Sequence, residues 1–249
     1  MINLKQAIVP MKSPKRPRDF SSDRRAFIKW APLAALAACN SSPGSLSEPV
    51  LQKFQSFNDW FQSKVFDPDK LAPEYSDDEL TPLSGFRVNG NTADDLKIDP
   101  ADWKLQADGL VQKPGAYSLE EIQVFPKKVM NTRHVCVEGW SMIPKWGGTV
   151  MADFLNSIGA DVTAKYLNVE CGDGYYCSYD MPSVWHKQTI LCYEAYGKPL
   201  SLNHGAPLRI VIPTKLGYKQ CKWVTKMTIS NEKSGGYWED QGYDWFAGI

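Results

Sequence analysis

The chain has 249 residues, 28 basic against 28 acidic side chains and 43% hydrophobic residues. That balance excludes the strongly basic surface of a nucleic-acid binder, and the apolar content excludes a highly charged disordered chain. It leaves enough apolar material for one substantial core.

The neutrality is a sum of two unequal parts. Before Cys39 stand Lys5, Lys12, Lys15, Arg16, Arg18, Arg24, Arg25 and Lys29 against Asp19 and Asp23, a net charge of +6. Ser22-Asp23-Arg24-Arg25-Ala26-Phe27-Ile28-Lys29 reads as a twin-arginine export signal. The apolar stretch after it, Trp30 to Ala38, is too short to span a bilayer, which takes about 20 residues. It ends in Leu36-Ala37-Ala38-Cys39, which resembles a bacterial lipobox with Cys39 as the lipidated residue. An ordinary signal peptide cut at a small-residue site is the alternative. Residues 1–39 are therefore read as a leader and set aside from the fold. The expected address is the periplasm, with a lipid anchor at Cys39. The remaining chain carries 20 basic and 26 acidic residues, a net charge of −6, and no lysine/arginine run. Nucleic acid is thereby excluded as a partner.

Asn40 to Ser47 is rich in Ser, Pro and Gly and reads as a tether. Ser47-Glu48-Pro49 then gives an N-cap, an acidic residue and a helix-compatible proline. Val50, Leu51, Phe54, Phe57, Trp60, Phe61 and Val65 follow at helical spacing, so an amphipathic helix is expected from Pro49 to Val65. Its aromatic face either docks on the domain or lies at the membrane surface beside the lipid anchor; it lacks the basic flank of a membrane binder, so docking is expected. Asp67 to Thr81, acidic and proline-containing, reads as a surface connection. Residues 40–82 thus form a tether and helix, and 83–249 the folded domain.

From Trp103 onward the pattern is short strands and turns. Trp103 to Ala107 alternates with period two and runs into the Pro114-Gly115 turn. Ser118 caps a short helix, and Val150 to Ile158 reads as another, closed by Gly159. Tyr166 to Val169, Thr189 to Tyr193, Leu208 to Ile212 and Trp223 to Ile229 read as strands. The fold class expected is α+β with a mixed β-sheet core in a single domain.

Two segments carry chemistry. Arg133-His134-Val135-Cys136-Val137-Glu138-Gly139-Trp140-Ser141 places a thiol at the end of an apolar run, and a soft thiolate suits a transition metal. A lone cysteine in such a run is most often a core residue. His204-Gly205-Ala206-Pro207-Leu208-Arg209 joins a histidine, a small-residue turn and an arginine that suits an anion. A turn histidine and a surface ion pair are the bland readings there. Lys219-Gln220-Cys221-Lys222 follows Gly217 in a loop where backbone N–H groups and a lysine suit an anion as well.

RHVCVEGWS, HGAPLRIVIPTKLGYKQCKW and GGYWEDQGY, in this order, resemble the molybdopterin domain of the sulfite oxidase family. That family also contains the periplasmic methionine sulfoxide reductase catalytic subunit. The resemblance runs from about Leu83 to the C-terminus. It implies that Cys136 is the sole protein ligand of molybdenum and that the cofactor is molybdopterin. By position His204 and Arg209 match pterin and phosphate contacts, and Gln220, Cys221 and Lys222 match the last cofactor-binding turn. Cys171 falls near a position that faces the cofactor in relatives. Phe86 to Asn91 resembles a segment that carries Arg-Asn-His in sulfite oxidases. Asn89 matches the Asn, whereas Val88 stands where the substrate-binding Arg belongs and Arg87 is displaced by one residue. The family's active-site tyrosine corresponds to Tyr175 or Tyr176, of which Tyr176 is taken.

The resemblance therefore implies an enzyme, with Cys136, Tyr176 and Arg87 catalytic, transferring an oxygen atom to or from a small substrate at sulfur, an oxo-anion such as sulfite. Sulfoxide reduction is the alternative, and a non-catalytic lipid-anchored binding protein a second one. The twin-arginine route carries folded proteins, which agrees with a cofactor inserted before export. No Cys-x-x-Cys pair accompanies the histidines, which speaks against zinc, and no c-type haem attachment site is present. Electrons are then expected to pass through a separate redox partner, a cytochrome or a membrane haem protein. The family's dimer-forming second domain would follow Ile249, so a monomer is expected. Setting aside Cys39 and Cys136 leaves Cys171, Cys177, Cys192 and Cys221, which are expected to be mostly free, buried thiols.

Overall fold

The computed structural model describes residues 47–249, with side chains from residue 53. The leader, the lipobox and the tether through residue 46 lie outside the described residues. Contacts divide the chain into Met1–Phe54 and Gln55–Ile249, and the second unit contains every element after the first helix.

Helix α1 spans Ser47–Val65. Against expectation, the side chains it turns inward are polar Asp59 and Gln62. Between residues 55 and 66 only Asp59, Gln62 and Phe66 are partly buried. Gln62 donates to the Asp244 carboxylate at 2.8 Å, Lys233 donates to Asp59 at 3.5 Å, and Phe66 meets Phe246 edge-on at 5.7 Å. Phe57, Trp60, Phe61 and Val65 are left 51–62% exposed. The expected docking of the aromatic face is corrected for a physical reason: the i, i+3, i+7 stripe that finds partners carries the hydrogen-bonding groups. The segment beyond it lies along the domain. Buried Gln188 accepts from Ala72 N–H at 2.8 Å and donates to its carbonyl at 3.0 Å, and Glu74 bridges Thr132.

Two sheets form the body. Strands β1 (Leu105–Gly109), β2 (Gly115–Tyr117), β3 (Lys127–Asn131), β4 (His134–Val135), β5 (Ser141–Met142) and β6 (Lys145–Val150) come first. They are followed by β7 (Tyr166–Cys171), β8 (Tyr176–Asp180), β9 (Ile190–Ala195), β10 (Lys198–Pro199), β11 (Arg209–Val211) and β12 (Val224–Ser230). The first sheet runs β2-β1-β12-β7-β8, with β1 parallel to β12, and the second runs β10-β9-β6-β3 with β11 also on β9. Short helices α2 (Leu119–Gln123), α3 (Met151–Ser157) and α4 (Met181–Val184) connect strands. Ser118 caps α2 by accepting from Glu121 N–H, and Glu121 returns the bond to Ser118 N–H at 2.8 Å. The alternation of β1 buries Leu105 and Ala107 against Phe154, Leu167, Val169, Leu191, Met227 and Ile229 in one core. Mixed sheets with few helices make this the α+β fold expected.

Strands β3, β6 and β8 carry no clear sequence signal. In β6 the pair Gly147-Gly148 argues against a strand on propensity, yet close approach requires it: a Cβ on Gly148 would lie 2.3 Å from the Leu191 carbonyl of β9. The β4–β5 hairpin stands apart as a two-stranded sheet, and the loop that joins it carries Cys136.

Candidate cofactor site

A cleft of about 400 Å³ collects Arg87 and Asn89, the β4–β5 hairpin, Asn203 to Arg209 and the Gly217 to Lys222 turn, with Tyr175, Tyr237, Trp238 and Tyr243 also lining it. The segments are tied to one another. The His204 ring stacks on Phe86 at 3.9 Å and 7°, its Nδ1 lies 2.8 Å from Ser201 Oγ, and Asn203 accepts from Ala93 N–H at 2.8 Å. Lys222 donates to the carbonyls of Asn91 and Asn203.

Cys136 lies just past β4 in a tight loop. Its N–H donates to Trp140 O at 2.9 Å and its carbonyl accepts from Gly139 N–H at 3.1 Å. The residue is 6% exposed, and burial pushes its thiol above the usual range; a hydrogen bond from the Glu138 backbone pulls it back in part, and the Glu138 carboxylate adds to the rise. A cation at the sulfur is what would favour the thiolate there.

The cations around it are undercompensated. Arg87, Lys97, Arg209 and Lys222 line the cleft against Glu138 and Asp173. Arg209 is buried on β11 and forms no ion pair among the described residues. Its guanidinium donates to His204 O at 2.9 Å and Gln220 O at 3.3 Å, lies 4.7 Å from the Trp146 ring centroid, and leaves Nε without a partner. Burial brings Lys222, whose ammonium also lacks a carboxylate partner, down to about 8, with Arg209 adding repulsion. A buried charge without a partner is costly. Here the missing partner is an anion.

His134 was not singled out from the sequence. Both of its ring nitrogens are buried without a hydrogen-bond partner, as is Gln220 Oε1 beside the same cleft. Burial first, and then the Arg209 charge, bring the imidazole down to about 4, so it is neutral. Room for the ring depends on Gly217, where a Cβ would lie 2.6 Å from His134 Nε2. Buried polar groups are satisfied in nearly all native sites, so these orphaned atoms mark where a polar ligand belongs.

The cleft brings together Cys136, Arg87, Asn89, His204, Arg209, Gln220, Cys221 and Lys222. It does not include Cys171, whose thiol is in the core, nor Tyr176. The Tyr176 hydroxyl donates to Asp240 at 2.6 Å, so the alternation of β8 directs it away, and Tyr175 takes the position on the cleft. Tyr175 donates to Tyr218 O at 2.7 Å, and burial raises its hydroxyl well above the usual range. Arg87 lies on the cleft. Residues 86–91 form no strand, and its guanidinium lies 5.3 Å from the Trp140 ring centroid at the cleft. Tyr237, Trp238 and Tyr243 are further lining residues that spacing alone did not single out.

Residues 91–238 match the family described as the oxidoreductase molybdopterin binding domain. The chain belongs to that family. It is a molybdenum cofactor-dependent oxidoreductase of the sulfite oxidase type, and molybdopterin is its cofactor. Over 231 residues it is 39% identical to a protein of Azospira oryzae provisionally named protein-methionine-sulfoxide reductase subunit YedZ1, a match spanning 90% of this chain and 87% of that one. Over 146 residues it is 31% identical to the oxidoreductase YuiH of Bacillus subtilis, spanning 58% of this chain and 74% of the relative. In fold it is similar to the sulfane dehydrogenase SoxCD from Paracoccus pantotrophus, with a TM-score of 0.52 and 21% identity over 70% of this chain. The match takes in 53% of the SoxCD chain, about half its length. An anionic pterin with a soft metal fits the donor set in the cleft: an available thiol, unpaired cations and orphaned neutral polar atoms.

Two outcomes follow. Arg209→Met removes an uncompensated buried charge at similar volume. The melting temperature of the cofactor-free protein should not fall, while cofactor retention drops roughly tenfold or more, as expected for losing charge-assisted hydrogen bonds. Lys222 supplies a pH dependence. A bound anion favours its ammonium, so affinity is full below the pKa of about 8 and declines as pH rises through it. Calorimetric titration of the cofactor-free protein with sulfate, whose charge is constant in this range, should show that decline, and Lys222→Arg should abolish it.

Proposed function

We propose that this oxidoreductase transfers an oxygen atom at sulfur, working in the reducing direction on a sulfoxide. The observation that carries oxygen-transfer chemistry at this cleft is Cys136 placed beside undercompensated cations. When bound, the molybdenum cofactor supplies the two-electron redox step. Cys136 is the residue to hold the metal. Arg209 and Lys222 are suited to the phosphate, and His134, His204, Gln220 and Asn89 to the pterin edge.

The direction is argued from the opening. Tyr175, Tyr218, Tyr237, Trp238 and Tyr243 give it neutral aromatic walls that suit an uncharged sulfoxide. Val88, where sulfite oxidases carry an arginine, does not line the cleft. The name of the Azospira oryzae relative agrees with this reading. Arg87 favours a second reading, a small oxo-anion oxidised in the sulfite oxidase manner, because its guanidinium is a cleft cation with no ion pair among the described residues. Membership of an enzyme family removes the non-catalytic alternative. Electrons are supplied by a separate redox protein. The protein works in the periplasm, exported by the twin-arginine leader and anchored at Cys39.

Cys136→Ser should retain most of the bound pterin and lose turnover with every sulfoxide tested, measured with a reduced dye as donor; turnover like the parent's would refute the metal assignment. Comparing sulfoxides, assayed with the reduced dye as donor, with sulfite, assayed with an oxidised dye as acceptor, tests the direction. Cell fractionation checks the address: Arg24→Lys with Arg25→Lys should hold the protein in the cytoplasm, and Cys39→Ala should release acylation without blocking export.

A further inference from the structure

Helix α1 is amphipathic in the wrong sense for a helix that only packs on its own domain. Over the part that belongs to the folded unit, Asp59 and Gln62 bond inward, while Phe57, Trp60, Phe61 and Val65 are 51–62% exposed. At helical spacing these four cover roughly 140° of the circumference as one stripe. Phe57 lies 5.8 Å from Trp60 and 6.3 Å from Phe61, ring to ring, so the three form a contiguous apolar surface. Nothing in the described unit covers it.

We propose that this stripe lies in the headgroup region of an anionic bilayer. Three observations select a lipid surface over a protein partner or a second copy. The stripe is aromatic and includes tryptophan, the residue type that favours the boundary between headgroups and acyl chains. One lysine sits on the stripe itself. Exposed Lys64 falls between Trp60 and Phe61 on the helix circumference and makes no ion pair among the described residues, whereas Asp59 points inward to Lys233. A lysine there can bury its stem and keep its ammonium among phosphates. The third observation is chain length. Seven residues, 40–46, separate the lipobox cysteine from the start of α1 at Ser47, a reach of at most about 25 Å when fully extended. Given the anchor proposed above, with Cys39 acylated, a helix on so short a tether meets the same surface. No described helix is long and apolar enough to cross a membrane, so contact is along the surface.

The inference does not depend on the substrate or on the direction of oxygen transfer. The test uses the full-length, cofactor-loaded chain carrying Cys39→Ala, so that no acyl chain contributes, with and without Phe57→Ser and Phe61→Ser. Any contribution of the leader is common to both proteins. Both residues are exposed, so the melting temperature and the dye-coupled activity should match the parent's. Sedimentation with phosphatidylcholine/phosphatidylglycerol vesicles should show binding by the parent and at least a tenfold loss in the double variant. Vesicles with brominated acyl chains should quench parent fluorescence, and Trp60→Phe should lose part of that quenching while still binding. Equal binding by parent and double variant, or no binding by the parent, would overturn the proposal. So would a parent dimer in light scattering that the double variant abolishes, since a second copy would then cover the stripe.

Discussion

The ammonium of Lys219 is the point on which the site depends. It is fully buried, donates to the Ser178 carbonyl of β8 at 2.9 Å and pairs with Glu239. Trp245 and Tyr179 enclose it, their ring centroids 5.4 and 5.5 Å away. Lys219 immediately precedes Gln220, Cys221 and Lys222 on the cleft, and Glu239 follows Trp238, so one ion pair joins the first sheet, the inner turn and the aromatic wall. Removing one partner of such a pair typically costs about 3–5 kcal/mol, because a buried charge is stranded. Lys215 repeats the device nearby, 2.8 Å from Asp180 and with its ammonium 3.4 Å from the Phe246 ring centroid, and so fixes the end of the chain.

Against that background the cleft cations stand out. The fold compensates Lys215 and Lys219 with buried carboxylates, but offers Arg209 only carbonyls and Lys222 only carbonyls. The same chain thus treats buried charge in two ways. Where the role is structural the counter-charge is built in. Where a ligand is to bind, it is left to the ligand, and the stability withheld from the empty protein returns on binding.

Much of the fold was legible because it rests on local rules. The capping pair Ser118 and Glu121, the apolar period of α3 and the runs that became β7, β9, β11 and β12 each carry their signal within a few residues. Strands β3 and β6 do not, since exposed Lys127 and half-buried Lys128 leave no apolar alternation at the start of β3 and Gly148 answers to a carbonyl on another strand. The site divides along the same line. Cys136, His204 and Arg209 stand in motifs. His134 is distinguished by what it lacks, a hydrogen-bond partner, which no spacing records. The choice between Tyr175 and Tyr176 is a question of strand phase: one residue's shift turns a cleft hydroxyl into a partner for Asp240.

Cysteine chemistry shows why position rather than residue type had to decide the metal ligand. The five cysteines of the described residues are all unpaired and buried. Burial raises the thiols of Cys171, Cys177, Cys192 and Cys221 as it does that of Cys136, so acidity does not separate them. Their neighbours do. Cys192 donates to Glu194 O at 3.2 Å in the second sheet, and Cys177 donates to Glu239 at 3.5 Å. Cys221 touches the cleft, but its sulfur lies 3.0 Å from the Tyr179 hydroxyl, inside the core of the first sheet. Cys171 closes β7 in that core. Cys136 alone of the five belongs to neither packed core, so its sulfur can accept a cation without opening one.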